Sequence, residues 1–204
     1  PAGENVGFDL TDRFDETRLN NYLTAVKRER RNLANNVPDK EILNLMGVTS
    51  SGVPTLAGVM TFSRYPQAYF PQLCITAVSL PGTEMGATGI EGERFIDNKR
   101  ITGAIPEMLE EAVDFVMRNS RTKTIIDDNG KRIDKPEYPI KAVREAILNA
   151  LVHRDYSIHT DTTPITIKMF SDRLEIENPG GLYGRMTLDQ LGKVSADTRN
   201  PFLA

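Results

Sequence analysis

The chain has 204 residues, a formal net charge of −3 and one cysteine. Its charged fraction of 26% and hydrophobic fraction of 39% are those of an ordinary globular protein. The acidic balance argues against a protein that coats nucleic acid through its overall charge, although it leaves room for a local basic patch. Because Cys74 has no second cysteine to pair with, we expect a reducing, cytoplasmic setting.

No apolar run approaches the roughly 20 residues that span a bilayer, and the first residues do not form a signal-peptide pattern. We therefore expect no membrane partner. Cys74 itself lies in the apolar stretch LCITAV, which favours a buried structural thiol over a nucleophile.

The first predicted helix follows Asp15 or Thr17 as N-cap, because Leu19, Leu23 and Val26 recur at helical spacing. It carries a group of cations: Arg18, Lys27, Arg28, Arg30 and Arg31. Two interpretations stay open. The cations form a patch that faces nucleic acid, or they form a solvated helix face near the negative end of the helix dipole.

A second helix is predicted over 38–46 and ends at Gly47, a typical C′ residue. A turn follows at 50–52, and 55–62 is predicted as a short helix that runs into a strand. Two helices, a turn and extended chain are also the outline of a winged-helix module, which many small α+β units share.

From residue 72 onward the pattern predicts alternating strands and helices. The glycine-rich loop 81–93 has neither GxGxxG spacing nor a following GK[ST], so we interpret it as a hairpin loop and not as a phosphate-binding loop. The predicted elements are strands at 72–80 and 94–101, a helix at 105–118, a hairpin at 122–126 and 131–133, a helix at 140–152, and a hairpin at 163–170 and 173–177.

The helix 140–152 is apolar around most of its circumference, which predicts burial. Glu145, Asn149 and His153 nevertheless lie at i, i+4 and i+8 and form one polar stripe. Burying a carboxylate and an amide costs several kcal/mol unless they are paired. We therefore expect some group to face the stripe.

A carboxylate one turn before an amide suits a site for Mg²⁺ and a nucleotide. The amide oxygen of Asn149 is a hard ligand for Mg²⁺, and the carboxylate of Glu145 can orient or deprotonate a water. Gly180 and Gly181 would let a ligand approach the backbone, and Asn178 could accept a hydrogen bond from an exocyclic amine.

A purely structural alternative stays open. Glu145 would pair with Arg144, Arg154 or a strand arginine, and Asn149 would bond to backbone. The run His153-Arg154-Asp155 is similar to the catalytic loop of protein kinases, but Thr160 stands where that loop needs asparagine. Neither His153 nor His159 lies in a zinc-ligand arrangement, and we expect His153 to cap or support the end of the helix.

These residues carry a family resemblance. Glu145-xxx-Asn149, followed by a strand and Asn178-Pro179-Gly180, resembles the N-box and G1-box of the GHKL (Bergerat-fold) ATPases. The stretches REAILNALVHRDY, LEIENPGGL and SADTRNPFLA resemble the degenerate GHKL-like domain of bacterial regulators with an AlbA-type (Schlafen-like) DNA-binding domain. Those regulators are often labelled RecG-related helicases, and the resemblance runs from about residue 38 to the end.

The resemblance implies ATP and Mg²⁺ as cofactors. It places Glu145 as general base, Asn149 at Mg²⁺ and Asn178 at the adenine, with His153, Gly180 and Gly181 lining the binding site. The sequence departs from the family's DxGxG pattern, because Asn178 replaces the acid and Leu182 replaces the second glycine. The phosphate-covering glycine box is expected beyond residue 204 and the DNA-binding domain before residue 1, so we expect a piece that does not turn over ATP alone.

The sequence thus predicts an α+β fold, with a small helical, winged-helix-like linker region at 1–71 and a C-terminally truncated GHKL-like two-layer α/β sandwich at 72–204. The leading functional hypothesis is part of a cytoplasmic, homo-oligomeric transcriptional regulator that binds DNA and uses the ATP-binding-like domain as a sensor or dimerisation unit. Two alternatives remain: an Mg²⁺-dependent ATPase completed by further residues, and a scaffold that has lost nucleotide binding.

Overall fold

A computed structural model describes residues 6, 13–126, 132–184, 187, 189 and 197–203. Helices and strands alternate irregularly along the chain, as expected for an α+β protein. The helices are α1 (Glu16–Glu29), α2 (Arg31–Ala34), α3 (Asp39–Leu45), α4 (Leu56–Phe62), α5 (Ile105–Asn119) and α6 (Ile140–His153). The strands are β1 (Thr49–Ser50), β2 (Val53–Pro54), β3 (Ile75–Ser79), β4 (Asp97–Ile101), β5 (Thr122–Ile126), β6 (Arg132–Pro136), β7 (Ile165–Met169) and β8 (Leu174–Glu177).

Residues predicted from the sequence mark the start of α1 and the end of α3. The Asp15 carboxylate accepts a hydrogen bond from the Arg18 N–H at 2.9 Å, which caps α1. Just after α3, Gly47 has φ +69°, a left-handed conformation that favours glycine. Leu23 and Val26 of α1 pack with Ile42 of α3 in a small buried cluster.

Helix α4 forms as predicted, but the strand expected after it does not. Thr55 caps the helix, because its hydroxyl accepts from the Gly58 N–H at 3.0 Å and donates to the Gly47 carbonyl at 2.6 Å. After Ser63 the chain enters a 3₁₀ turn at Pro66–Ala68. Proline has no N–H to donate to a strand ladder, which explains the end of the extended chain.

The main sheet has four strands in the order β4-β3-β7-β8. The two predicted hairpins are confirmed, since β3 pairs antiparallel with β4 and β7 pairs antiparallel with β8. A parallel pairing of β3 with β7, in the register Ile75↔Ile165 to Ser79↔Met169, joins the hairpins into one sheet.

Helices α5 and α6 cover one face of this sheet and form the second layer of a two-layer α/β sandwich. On β3 and β7 the inward residues Ile75, Ala77, Ile165 and Ile167 are buried, as alternation predicts. The same core also includes Ala57 and Met60 of α4. The boundary between 1–71 and 72–204 stays a prediction, and the packing of α4 against the sandwich core means that the two parts share apolar contacts.

The hairpin of β5 and β6 is antiparallel, as predicted, and forms its own two-stranded sheet. The Asp-Asp-Asn-Gly turn predicted at 127–130 lies outside the described residues. Cys74 is buried, as expected. Among the described helices, none combines the length and the apolar character that crossing a membrane requires.

Candidate functional site

The polar stripe of α6 lies on the protein surface. Glu145 and Asn149 are both exposed, whereas His153 is half-buried at the last helical position. The expectation that the stripe is buried and faced by another group is therefore wrong. The buried face of α6 is formed by Val143, Ile147, Ala150, Leu151 and Val152, and the stripe occupies the side that the core leaves in solvent.

Glu145 and Asn149 bond to each other and not to the backbone. The Asn149 Nδ2 donates to Glu145 Oε1 at 3.1 Å. The structural alternative paired Glu145 with Arg144 or Arg154. Neither pair forms, because Arg144 pairs with Glu110 and Arg154 is buried among backbone carbonyls. Since the amide nitrogen of Asn149 faces Glu145, its Oδ1 is left as an acceptor that no described residue uses.

The end of α6 contacts the Asn178-Pro179-Gly180-Gly181 turn that follows β8. The Asp155 N–H donates to the Pro179 carbonyl at 3.0 Å. The Asp155 carboxylate accepts from the Ser157 N–H at 2.9 Å, and this bond, with Arg199 nearby, holds the pKa of Asp155 below its usual value. Asn149 lies one helical turn, about 6 Å along the axis, before His153. His153, the last residue of the stripe, is therefore two residues from Asp155, which makes the contact with this turn.

Gly180 is needed where it stands, whereas Gly181 is open. Gly180 has φ +105°, and a Cβ there would collide with the Arg199 guanidinium and with Asp155. A Cβ at Gly181 would meet nothing within 4 Å. Arg199 Nη2 donates to the Gly181 carbonyl at 2.9 Å, and Nη1 lies 3.8 Å from Asp155 Oδ2. The close approach predicted for a ligand at Gly180 is thus made by the chain's own arginine.

Asn200 closes the C-terminal end of α6. Its side chain is buried, and its Nδ2 donates to the carbonyls of Val152 and Arg154 at 2.8 Å each. Helix carbonyls in the last turn have no intrahelical partner, and here an asparagine 46 and 48 residues away supplies the donors. Asn200 is not predictable from the sequence, because no local pattern links it to α6.

Arg154 is the largest fully buried side chain of the described residues. Its Nη2 donates to the carbonyls of Thr160 at 2.9 Å and Thr163 at 2.6 Å. Burial lowers the pKa of Arg154. Its guanidinium lies 5.5 Å from the centroid of the Tyr156 ring, close enough for a cation–π contact. In the run His153-Arg154-Asp155, which is similar to a kinase loop in sequence, the arginine is thus buried and has a structural role.

Asn178 directly follows β8, at the start of the glycine turn. Its Oδ1 is buried, and no described residue donates a hydrogen bond to it. Leaving a buried acceptor unpaired costs about 1–3 kcal/mol, so this oxygen suits a donor such as an amine. Because the oxygen is closed to solvent, a ligand reaches it only when neighbouring atoms move.

Among the cavities that the described residues line, two lie beside helices away from this corner. One is an open depression of about 540 Å³ along α5, lined by Lys99, Glu107, Glu110, Asp114 and Arg118 among others. The other, about 200 Å³, lies between α1, α4 and the Phe202–Leu203 segment. No cluster of three or more metal-ligating His, Cys, Asp or Glu side chains occurs in the described part of the chain, so any divalent cation here would rely on few protein ligands.

A mixed sheet covered on one face by two helices, with a Glu–Asn pair on the helix before the β7–β8 hairpin and a glycine turn after it, is the arrangement expected of a GHKL-like sandwich. Residues 162–204 match the family model described as "Putative ATP-dependent DNA helicase recG C-terminal". The matched stretch contains β7, β8, the glycine turn and the Arg199–Asn200 segment. This C-terminal stretch is therefore similar to a RecG-related, ATPase-like family, and the α+β fold is consistent with a GHKL-like sandwich.

Among solved structures, the chain is similar to the DIP2311 protein from Corynebacterium diphtheriae, with a TM-score of 0.53 and 21% sequence identity. The alignment covers 97% of this chain and 32% of that protein, so the chain spans about a third of its length. At this identity the likeness concerns the fold alone. A comparison with curated proteins finds no match.

Proposed function

We propose that this chain is part of a cytoplasmic, DNA-binding transcriptional regulator whose ATPase-like domain binds Mg²⁺ and ATP as a sensor. The observation that carries the proposal is the exposed Glu145–Asn149 pair, whose two side chains bond to each other and to no other described residue. It stands on the helix whose end contacts the glycine turn, and that turn lies in the stretch matched by the RecG C-terminal family.

The available side chains fit such a ligand in part. The free Oδ1 of Asn149 is a hard oxygen of the kind that Mg²⁺ prefers, and the adjacent Glu145 carboxylate can hold a metal-bound or attacking water. The unpaired Oδ1 of Asn178 would accept from the adenine amine. Gly181 has open space beside it, and His153 borders the same side of the helix. Bound Mg²⁺ would neutralise phosphate charge.

Several features weaken the candidate nucleotide site relative to that of the resembled family. Asn178 is an amide where the resembled family has an acid, and Leu182 replaces a glycine. Arg199 already occupies the close approach to Gly180. These departures weaken the positioning of a nucleotide more than they weaken a contact with its metal. An Mg²⁺-dependent ATPase completed by residues beyond 204 is the second candidate, which the exposed Glu145 keeps open.

The remaining parts of the proposal rest on the resemblance. The region 1–71 would link an upstream DNA-binding domain to the ATPase-like domain at 72–204, and the latter would also mediate self-association into homo-oligomers. The description of the matched family as a DNA helicase supports a nucleic-acid setting. Sedimentation of the chain with and without nucleotide tests whether self-association responds to the ligand.

Isothermal titration of Mg·ATP into the chain tests the binding site. We expect heat of binding that Asn149→Ala abolishes and that Lys141→Ala, an exposed neighbour on α6, retains. Phosphate release measured in parallel on the chain extended past residue 204 separates the candidates, because a sensor releases none, whereas an ATPase releases phosphate and loses that release in Glu145→Gln. Absence of heat, together with an unchanged melting temperature in Mg·ATP, would mean that the fold serves as a scaffold.

A further inference from the structure

The junction of α1 and α2 concentrates positive charge in a protein that is acidic overall. Residues 27–36 read KRERRNLANN and contain four cations and one carboxylate, whereas the whole chain has a net charge of −3. We call these ten residues the basic corner. Its side chains Arg28, Arg30 and Arg31 are exposed, as are Asn32, Asn35 and Asn36.

The cations of the basic corner differ in whether they already have partners. Lys27 pairs with Asp39 of α3, and Arg30 Nη1 lies 2.8 Å from the Met46 sulfur. These two side chains hold the corner against α3. Arg28 and Arg31, in contrast, form no ion pair or hydrogen bond with any described residue. They are available to an anion that comes from outside the chain.

Exposed cations outside the basic corner either form ion pairs or stand alone in the sequence. Arg118 pairs with Asp97, Arg144 with Glu110 and Lys168 with Glu177. Exposed cations without a described ion pair, such as Arg94 and Lys141, stand singly in the sequence. The basic corner is thus a cluster in which cations outnumber carboxylates and only one acidic neighbour, Glu29, lies within it.

The composition of the corner favours nucleic acid over a membrane surface. A helix that binds a lipid interface needs an apolar face with large side chains, and the large exposed apolar side chains of the described residues do not include any from 27–36. The corner instead adds three exposed amides, and Asn side chains hydrogen-bond both phosphates and base edges. Duplex DNA offers a dense line of negative charge, one per about 1.7 Å of its axis.

We propose that the basic corner binds the phosphate backbone of duplex DNA, with Arg28 and Arg31 as its principal contacts. The contact is independent of sequence, because phosphates carry no base information. It adds a DNA-facing surface within this chain to the upstream domain invoked above. The inference does not depend on nucleotide binding at α6, and it is tested without nucleotide.

Fluorescence anisotropy of a short labelled duplex, titrated with the chain at several salt concentrations, measures the contact. The double variant Arg28→Glu/Arg31→Glu should bind more weakly, and its slope of log affinity against log salt should fall by about 2. The matched control Arg94→Glu/Lys141→Glu makes the same change in net charge at exposed cations outside the corner, and its slope should stay that of the wild type.

A melting curve for each variant separates lost contacts from lost folding, and Arg28→Gln/Arg31→Gln repeats the test without charge reversal. The proposal is overturned if the wild-type chain does not bind the duplex at low salt. It is also overturned if the control pair weakens binding as much as the corner pair, since the effect is then one of overall charge. Binding to anionic phospholipid vesicles but not to the duplex would overturn it in favour of a membrane contact.

Discussion

The C-terminal end of α6 and the exposed polar stripe on the same helix use polar side chains in opposite ways. At the C-terminal end, Arg154 and Asn200 are buried and donate to backbone carbonyls of α6 and the segment after it. Asn149 and Glu145 lie five and nine residues before Arg154; they are exposed, and among the described residues they bond only to each other. The first pair maintains the shape of the corner, while the second is free to meet a ligand. The family-like residues therefore divide into a structural group and a candidate binding group.

The largest expected effect comes from breaking the structural group. Arg154→Met keeps much of the side-chain volume but leaves the carbonyls of Thr160 and Thr163 without their donor. Because hydrogen bonds from a charged group contribute about 1.5–3 kcal/mol each, we expect the free energy of unfolding to fall by about 3 kcal/mol or more, measured from urea midpoints at unchanged slope.

Arg144→Met is the matched control for that change, since Arg144 makes an exposed ion pair with Glu110. Exposed pairs contribute about 0–1 kcal/mol. Equal losses for Arg154→Met and Arg144→Met would contradict the structural role of the buried arginine.

The next largest effect on stability is expected in the glycine turn, where Gly180 and Gly181 are compared. Gly180→Ala forces a side chain into a left-handed backbone and against Arg199, which we expect to lower the free energy of unfolding by about 1–3 kcal/mol. Gly181→Ala enters open space and should change it by less than about 0.5 kcal/mol. Thermal or urea unfolding of both variants measures the difference. Equal changes in the free energy of unfolding for the two variants would contradict the packing of Arg199 on Gly180.

The smallest effect is expected at the candidate binding pair. Glu145→Ala and Asn149→Ala remove exposed groups that share one hydrogen bond, and interactions at this spacing contribute about 0.2–0.5 kcal/mol. The free energy of unfolding should therefore hardly change. A loss above about 1 kcal/mol in urea unfolding for either variant would assign these residues to the structural group.

Local patterns predicted the elements that local chemistry determines. Asp15 caps α1, Gly47 follows α3 and both hairpins of the main sheet form where alternation indicates. The parallel pairing of β3 with β7 was not predicted, because Ile75 and Ile165 lie 90 residues apart and no local signal links them. The strand expected after α4 was wrong, since Pro66 directs the chain into a 3₁₀ turn.

The sequence predicted that the candidate residues of α6 share one helix face, but it did not predict whether that face is buried or exposed. Helical spacing placed Glu145 and Asn149 on one stripe, and that is how they lie. Spacing does not say which side of a helix the sheet covers, so the stripe was expected inside and lies outside. The roles of Arg199 and Asn200 depend on a return of the chain to α6 and Gly180, which only the folded structure supplies.

Nuclear magnetic resonance of the asparagine side-chain amides during a titration with Mg·ATP tests directly whether α6 carries a nucleotide site. If it does, the resonances of Asn149 and Asn178 both move, and the movement of Asn149 requires Mg²⁺. Asn200 should move little, because its amide is already committed to the carbonyls of Val152 and Arg154. Fixed resonances at Asn149 and Asn178, under conditions where the nucleotide is in excess, would contradict a nucleotide site on α6.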